Sequence, residues 1–350
     1  MSLTAALRDR DVALLPSRRD EDWRWTDLRG LLRVLPPQAP AFDGALPAGP
    51  FGALGEAEVA FVDGRLRGDP SALAVPAGET RTVRLRFVAA ASQASHSAEA
   101  KVRVGAGARL VLLESHEALG EAYVADAVLD IEVEAGGALE RIVVAADGPE
   151  AVRVALATLV LAPGARLAQT TLSDGARRQR LETRLTHPGA GAEARLDGVY
   201  VLAGQRHADF TTAVVHAGEG GATDQLCKGV VAGQARAVFQ GRIVVAEGAD
   251  RTDARMGHHA LVLSDRAEVD AKPELGIYAD DVACAHGNTV GALDEEALFY
   301  ARQRGLPEAE ARAMLTAAFL GEVIDRIGHA EAQAVARAWL EERLEAAHGL

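Results

Sequence analysis

Cys284 and His286 are the residues whose types and spacing best suit metal chemistry in this sequence of 350 residues. In an extended strand, alternate side chains point to the same face, so a Cys-x-His sequence places both groups on one side. A thiolate and an imidazole together suit iron, zinc or an iron–sulfur cluster. A closed tetrahedral site needs about four ligands, so a second chain or a substrate would supply the rest. The alternative is a structural cysteine beside a histidine in a turn.

The second cysteine, Cys227, is a weaker candidate. Its segment is typical of a strand, where a lone cysteine usually behaves as a small buried hydrophobic residue. The neighbouring Lys228 would lower the pKa of the thiol if both side chains were exposed, although the same spacing fits an ordinary alternating strand. Four other histidines are predicted to lie on the surface or in turns: His207, His216, His258 and His259.

Composition and missing motifs argue against several classes of function. The net charge of −13 and the pI near 5.3 disfavour nucleic acid as a partner, because such binding uses clustered Lys and Arg. No apolar run of about 18 residues occurs, so we expect no membrane association. Two cysteines and the lack of a secretory signal predict a reducing, cytoplasmic location. No G-x-x-x-x-G-K-[ST] phosphate loop occurs, so any dependence on ATP requires another subunit.

The elements that position these residues change along the chain. Residues 1–55 are predicted to form an N-terminal helical and loop region, in which a run of prolines breaks any helix. Residues 56–290 show short β-branched strands separated by turns, and a Gly-Ala step recurs about every 27 to 30 residues. These steps are Gly107-Ala108, Gly137-Ala138, Gly164-Ala165 and Gly191-Ala192. The spacing favours one coil of a β-solenoid, with a β-sandwich as the alternative.

Residues 291–350 are predicted to form a C-terminal helical region. Asp294 can cap a first helix, Pro307 can begin a second, and a third follows. The apolar faces of these helices need the end of the solenoid or a partner to cover them. Near the other end of the chain, Trp23 and Trp25 would lie on one side of an extended segment and anchor it to the rest of the protein, or to a partner.

A composite pattern lies between residues 267 and 304 and has four parts: Lys272-Pro273-Glu274-Leu275, Asp280-Asp281-Val282, Cys284-x-His286-Gly287 and Leu298-Phe299-Tyr300. This pattern resembles the C-terminal signature of the SufB/SufD family of iron–sulfur cluster assembly proteins. Further matches at 21–26 and between 228 and 241 extend the resemblance over most of the chain. The Cys-x-His-Gly form differs from the Cys-x-His-Glu form of the SufB branch. Ala285 and Asn288 depart from the family pattern but leave both candidate ligands intact.

The resemblance implies a mainly β fold, a right-handed parallel β-helix with small N-terminal and C-terminal helical regions. It also implies a non-catalytic scaffold subunit of the SufBCD complex, paired with SufB and bound to the ATPase SufC, with a homodimer as the alternative state of the isolated chain. No cofactor would be bound permanently, and a transient iron–sulfur cluster would be shared with the partner subunit through His286 and Cys284. The residues expected to face SufC are Asp294, Leu298, Phe299, Tyr300 and Phe319.

A carbohydrate-active β-helix enzyme, similar to a polysaccharide lyase, is the second interpretation. Such an enzyme needs a groove of carboxylates and of aromatic residues that stack on sugars. The aromatic content of 4% and the missing secretory signal count against this interpretation.

Overall fold

The computed structural model describes residues 2–348, and the side chains of residues 2–345. Helices α1 (Leu3–Asp9) and α2 (Leu28–Leu31) come first, and short 3-10 helices span Val12–Leu14, Glu21–Trp23 and Pro70–Leu73. Three helices follow the strands: α3 (Glu295–Gln303), α4 (Glu308–Ile324) and α5 (Ala330–His348). The strands are β1 (Ala57–Val62), β2 (Arg65–Arg67), β3 (Ala74–Val75), β4 (Thr80–Ala89), β5 (Ser95–Val104), β6 (Arg109–Ala118), β7 (Val124–Val133), β8 (Ala138–Ala146), β9 (Val152–Leu161), β10 (Arg166–Ser173), β11 (Arg178–His187), β12 (Glu193–Leu202), β13 (His207–His216), β14 (Ala222–Val231), β15 (Arg236–Val245), β16 (Thr252–Val262), β17 (Glu268–Ile277) and β18 (Val282–Gly291).

The strands form two parallel sheets, to which the hairpin of β1 and β2 adds an antiparallel pair. The ten-stranded sheet has the order β18-β16-β14-β12-β10-β8-β6-β4-β1-β2, and the eight-stranded sheet has the order β17-β15-β13-β11-β9-β7-β5-β3. From β4 onward, successive strands alternate between the sheets, so each turn of the chain adds one strand to each sheet. This is a parallel β-solenoid, and the prediction of that fold is confirmed. The β-sandwich alternative is wrong, because sandwich sheets are antiparallel.

Glycines occupy one corner of successive turns. Four of them have positive φ, with values of 64°, 66°, 66° and 72°, in the order Gly107, Gly136, Gly164 and Gly191. A glycine adopts this left-handed conformation without the steric cost of a Cβ atom. The corners also stack, because the Gly136 N–H donates to the Pro163 carbonyl at 3.1 Å. The predicted corners are therefore confirmed, although Gly136 and not Gly137 has the left-handed conformation.

The main hydrophobic core lies between the two sheets and consists mostly of Val, Leu and Ala. Polar side chains also face this interior. Gln169 Nε2 donates to Thr183 Oγ1 at 3.0 Å, and Gln225 Nε2 donates to Thr212 Oγ1 at 2.9 Å. Because buried amides need hydrogen-bond partners, these pairs make a polar interior compatible with folding. The interior of the solenoid therefore carries polar groups as well as apolar ones.

Helices α4 and α5 lie against the outer face of the ten-stranded sheet. Buried residues of this contact include Leu320, Val323, Ile324, Trp339 and Leu340 from the helices and Val199, Val201 and Val230 from the strands. The predicted helical region is therefore covered by the flank of the solenoid. The expectation that its apolar faces need the solenoid end or a partner is wrong for these two helices. Of the helices that the structure describes, none is long and apolar enough to cross a membrane.

Helix α3 has a separate, smaller core of its own. It packs against α4 through Leu298, Ala301 and Ala311. Asp294 caps α3 as predicted, since its Oδ1 accepts from the backbone N–H groups of Glu296 at 2.9 Å and Ala297 at 3.1 Å. The α3 helix is therefore attached to the protein through α4 and its own preceding loop.

The segment around Trp23 crosses the outer face of the eight-stranded sheet. The Arg180 guanidinium lies 4.3 Å from the centre of the Trp23 ring, and Thr26 Oγ1 donates to the buried Asp209 carboxylate at 2.5 Å. The anchor is intramolecular, as the first of the two alternatives predicted. The segment is not extended, however, because Glu21–Trp23 form a 3-10 helix.

Candidate functional site

Cys284 and His286 lie on β18, the edge strand of the ten-stranded sheet. They pair with Ala254 and Met256 of β16, whose side chains belong to the solenoid interior. Since paired residues of neighbouring parallel strands share a face, Cys284 and His286 both point toward the axis of the solenoid. No further strand of the described chain pairs with β18 beyond its contact with β16. The two side chains are therefore on one face of an edge strand, at the open end of the interior.

The two side chains differ in their exposure. His286 is exposed, whereas Cys284 is half-buried and packs against the interior residues of the preceding turn. Burial raises the pKa of the Cys284 thiol, and a backbone hydrogen bond from Ala254 opposes that shift. A metal ion that binds Cys284 must therefore displace a proton.

The pair falls short of a complete metal site. Within the part of the chain that the structure describes, no group of three or more His, Cys, Asp or Glu side chains could hold a metal ion. A closed tetrahedral site uses about four ligands. The arrangement of Cys284 and His286 can therefore contribute ligands to a shared site and cannot complete one alone.

A third polar side chain lies on the same face of β18, and it was not predicted. Asn288 follows His286 by two residues and pairs with His258 of β16. Asn288 Oδ1 lies 2.6 Å from His258 Nδ1, and the Tyr200 hydroxyl lies 3.0 Å from His258 Nε2. Burial is the main reason that the pKa of His258 is lowered to about 4. The prediction that His258 lies on the surface or in a turn is wrong, because it is fully buried within the solenoid.

The other histidines differ in burial. His207 and His216 are buried, so their predicted surface positions are also wrong. His259 points to the opposite face from His258, as strand alternation requires, and its Nδ1 lies 2.7 Å from Thr289 Oγ1. Sequence periodicity could reveal that His258 and His259 face opposite ways. The burial of His258 was missed because periodicity alone does not tell which face is inside.

Cys227 has the structural role that its sequence context favours. It is buried in the interior core, and burial raises the pKa of its thiol. Lys228 points outward, where it forms an ion pair with Glu322 and its ammonium lies 4.5 Å from the centre of the Phe319 ring. Lys228 therefore does not act on the thiol of Cys227.

The five residues predicted to face an ATPase differ in what they offer a partner. Asp294 caps α3, Leu298 is buried between α3 and α4, and Phe319 packs on Lys228. Phe299 and Tyr300 are 64% and 61% exposed. Only these two of the five present large exposed side chains.

Most of the chain matches a known protein family. Residues 87–319, more than half of the chain, match the family described as "SUF system FeS cluster assembly, SufBD core domain". The chain belongs to the SufBD core family. Cys284, His286 and all of α3 lie within the matched range.

Relatives within the SufBD family carry the SufD name. SufD of Escherichia coli K12 is 46% identical over 87 residues, which are 25% of this chain and 21% of the relative. SufD of Bacillus subtilis 168 is 35% identical over 83 residues, 24% of this chain and 19% of the relative. The chloroplastic protein ABCI7 of Arabidopsis thaliana is 39% identical over 97 residues, 28% of this chain and 20% of the relative. Each match spans about a fifth of the relative. The names of the two bacterial relatives support the SufD branch of the SufBD family.

Proposed function

We propose that this chain is a non-catalytic scaffold subunit of a SufBCD-type complex, and that Cys284 and His286 help to hold a nascent iron–sulfur cluster at the contact with a SufB-type subunit. The observation that carries this proposal is the position of the pair. Both side chains point toward the axis of the solenoid from the last strand of the sheet, at the open end of the interior, where a second chain can reach them.

The open end of the solenoid supports pairing with a second solenoid. Strands β17 and β18 are the edges of their two sheets at this end, so each has one side whose backbone groups pair with no strand of the described chain. Such edges bind further strands readily. Ile277, Tyr278 and Val290 expose apolar surface there, with Tyr278 70% exposed. A SufB-type subunit placed here would supply the remaining ligands, and a second copy of this chain is the competing occupant.

Helix α3 supports a separate contact with a SufC-type ATPase. Phe299 and Tyr300 are the large exposed side chains of α3, and Phe299 borders a surface groove of about 460 Å³ near Pro307. Large aromatic residues often dominate the binding energy of protein interfaces. Because the apolar core of α3 is shared with α4, and α4 in turn packs on the solenoid, movement of a bound ATPase would reach the solenoid through α4.

Iron and acid-labile sulfide content tests the cluster assignment. The chain would be co-expressed with SufB-type and SufC-type subunits and purified without oxygen. We expect His286→Ala and Cys284→Ala to lower iron and sulfide per complex while the subunits still co-purify. His259→Ala is the matched control, since His259 lies on the neighbouring strand but points to the other face. Wild-type iron and sulfide in His286→Ala would remove His286 from the site.

A further inference from the structure

A chain of hydrogen bonds runs from the interior of the solenoid to its open end. It begins at the buried Tyr200 hydroxyl, passes through both ring nitrogens of His258 and ends at Asn288 Oδ1 on β18. The two distances are 3.0 Å and 2.6 Å. His258 also stacks on Phe239, with ring centres 4.5 Å apart and planes 6° apart. Packing and hydrogen bonds therefore both fix the position of this imidazole.

The directions of these hydrogen bonds follow from the acceptor on Asn288. An amide oxygen can only accept, so His258 Nδ1 carries the proton and donates to Asn288 Oδ1. His258 Nε2 then accepts from the Tyr200 hydroxyl. Because burial lowers the pKa of His258 to about 4, the ring is neutral near pH 7 and holds this single tautomer. The amide oxygen of Asn288 is thereby engaged, and the amide nitrogen remains for another acceptor.

Asn288 also lies on the same face of β18 as the two residues proposed to bind the cluster. Residues 284, 286 and 288 alternate along β18, so their side chains share the face toward the solenoid axis. Asn288 is exposed, and its amide nitrogen has no hydrogen-bond partner among the described residues. The acceptors of an iron–sulfur cluster are sulfur atoms, and hydrogen bonds to these sulfurs help to set the reduction potential.

We propose that Asn288, held by His258 and Tyr200, is a positioning residue that donates an N–H hydrogen bond to a sulfur atom of the cluster bound at Cys284 and His286. This inference rests on the proposed function of that pair. His258 acts through Asn288 and does not itself touch the cluster. A buried histidine on the strand next to the edge strand thus has a role in the chemistry of the surface site.

The chain offers a matched control for this proposal. On the outward face of the same two strands, His259 Nδ1 lies 2.7 Å from Thr289 Oγ1. His259→Phe and Thr289→Ala remove a contact of the same kind between the same strands. His258→Phe and Asn288→Ala remove the inward one. Since His258→Phe leaves the Tyr200 hydroxyl without its partner, the double variant Tyr200→Phe/His258→Phe is measured as well.

The experiment compares the cluster in these variants of the co-expressed complex. We expect Asn288→Ala and His258→Phe to shift the midpoint potential to more negative values. Loss of a hydrogen bond should also release iron to a chelator about two- to tenfold faster, the range expected for one net hydrogen bond. Combining the two variants should add nothing further, because His258 acts only through the N–H donor that Asn288→Ala already removes. The Thr289→Ala and His259→Phe controls should match the wild type.

Two outcomes would separate this inference from the function on which it rests. If His286→Ala depletes the cluster but Asn288→Ala keeps the wild-type potential and release rate, Asn288 is not a donor and the inference fails alone. If His286→Ala and Cys284→Ala both keep the full cluster, the proposed site itself is wrong. Thermal unfolding of each variant identifies any that fails to fold. If His258→Phe alone fails to fold, the Tyr200→Phe/His258→Phe variant tests the role of His258 without leaving an unpaired hydroxyl in the interior.

Discussion

Gly229 lies beside Tyr200 on neighbouring strands, and the close contact between them makes a direct test of the interior packing. A Cβ atom added at position 229 would lie 1.9 Å from both Cε2 and Cζ of the Tyr200 ring. The ring has little room to move, because Tyr200 is buried, its hydroxyl binds His258, and its edge contacts the Phe210 ring at a centre distance of 5.8 Å. Alanine at position 229 must therefore displace the ring or the backbone.

We expect Gly229→Ala to lower the free energy of unfolding. Forcing extra atoms into a packed core costs about 1–3 kcal/mol. Alanine also restricts the unfolded chain more than glycine does, which offsets about 0.4–1 kcal/mol of that cost, so the net loss of unfolding free energy should be centred on about 1.3 kcal/mol. Gly287→Ala is the matched control, since Gly287 lies in the same sheet and a Cβ there would meet nothing within 4 Å. That control should leave stability unchanged or raise it slightly.

Urea unfolding, followed by far-ultraviolet circular dichroism, measures both variants. The midpoint for Gly229→Ala should fall below that of the wild type, and the midpoint for Gly287→Ala should not. If the two variants unfold at the same midpoint, the Tyr200 ring is free to move aside. The fixed contact between Tyr200 and His258 would then be wrong as well.

Two further predictions concern acid stability and partner binding. Burial lowers the pKa of His216 and His258 to about 4, below the unfolded value of about 6.5. Below about pH 6.5 the unfolded chain therefore binds protons that the folded chain does not, so the urea midpoint should fall between pH 7 and pH 4; a constant midpoint would contradict this. Replacing Phe299 and Tyr300 together by alanine should weaken ATPase retention at least about 30-fold at unchanged thermal stability. Leu298→Ala removes a buried contact, so it should lower both the ATPase retention and the thermal stability. Full ATPase retention in the Phe299→Ala/Tyr300→Ala variant would exclude α3 as the docking surface.

The repeat spacing and strand alternation predicted much of the architecture. A left-handed corner favours glycine whatever its surroundings, so Gly107 and its successors reveal the turn length from sequence alone. Alternation likewise places Cys284 and His286 on one face before any coordinates are known. Both inferences depend only on local backbone geometry, and for that reason both agree with the structure.

Contacts between distant segments could not be predicted in the same way. The burial of His258 depends on which strand face points inward, and that depends on pairing with Cys227 and Asn288 on either side. The position of α4 and α5 on the flank depends on a match between two apolar surfaces that are far apart in sequence. Sequence periodicity identifies the apolar face of a helix or strand, but it does not identify the segment against which that face packs.

The solenoid also explains why a site would form at its last turn. In stacked repeats each turn covers the inward side chains of the one before it, so only a terminal turn presents them to another molecule. Cys284, His286 and Asn288 continue interior columns that are buried at Ala254, Met256 and His258 one turn earlier. A partner solenoid that extends these columns would bury Cys284 and His286, which together supply only part of the ligand set of a metal site. Such burial is costly unless the partner completes the coordination, which would favour a partner with matching ligands over one without them.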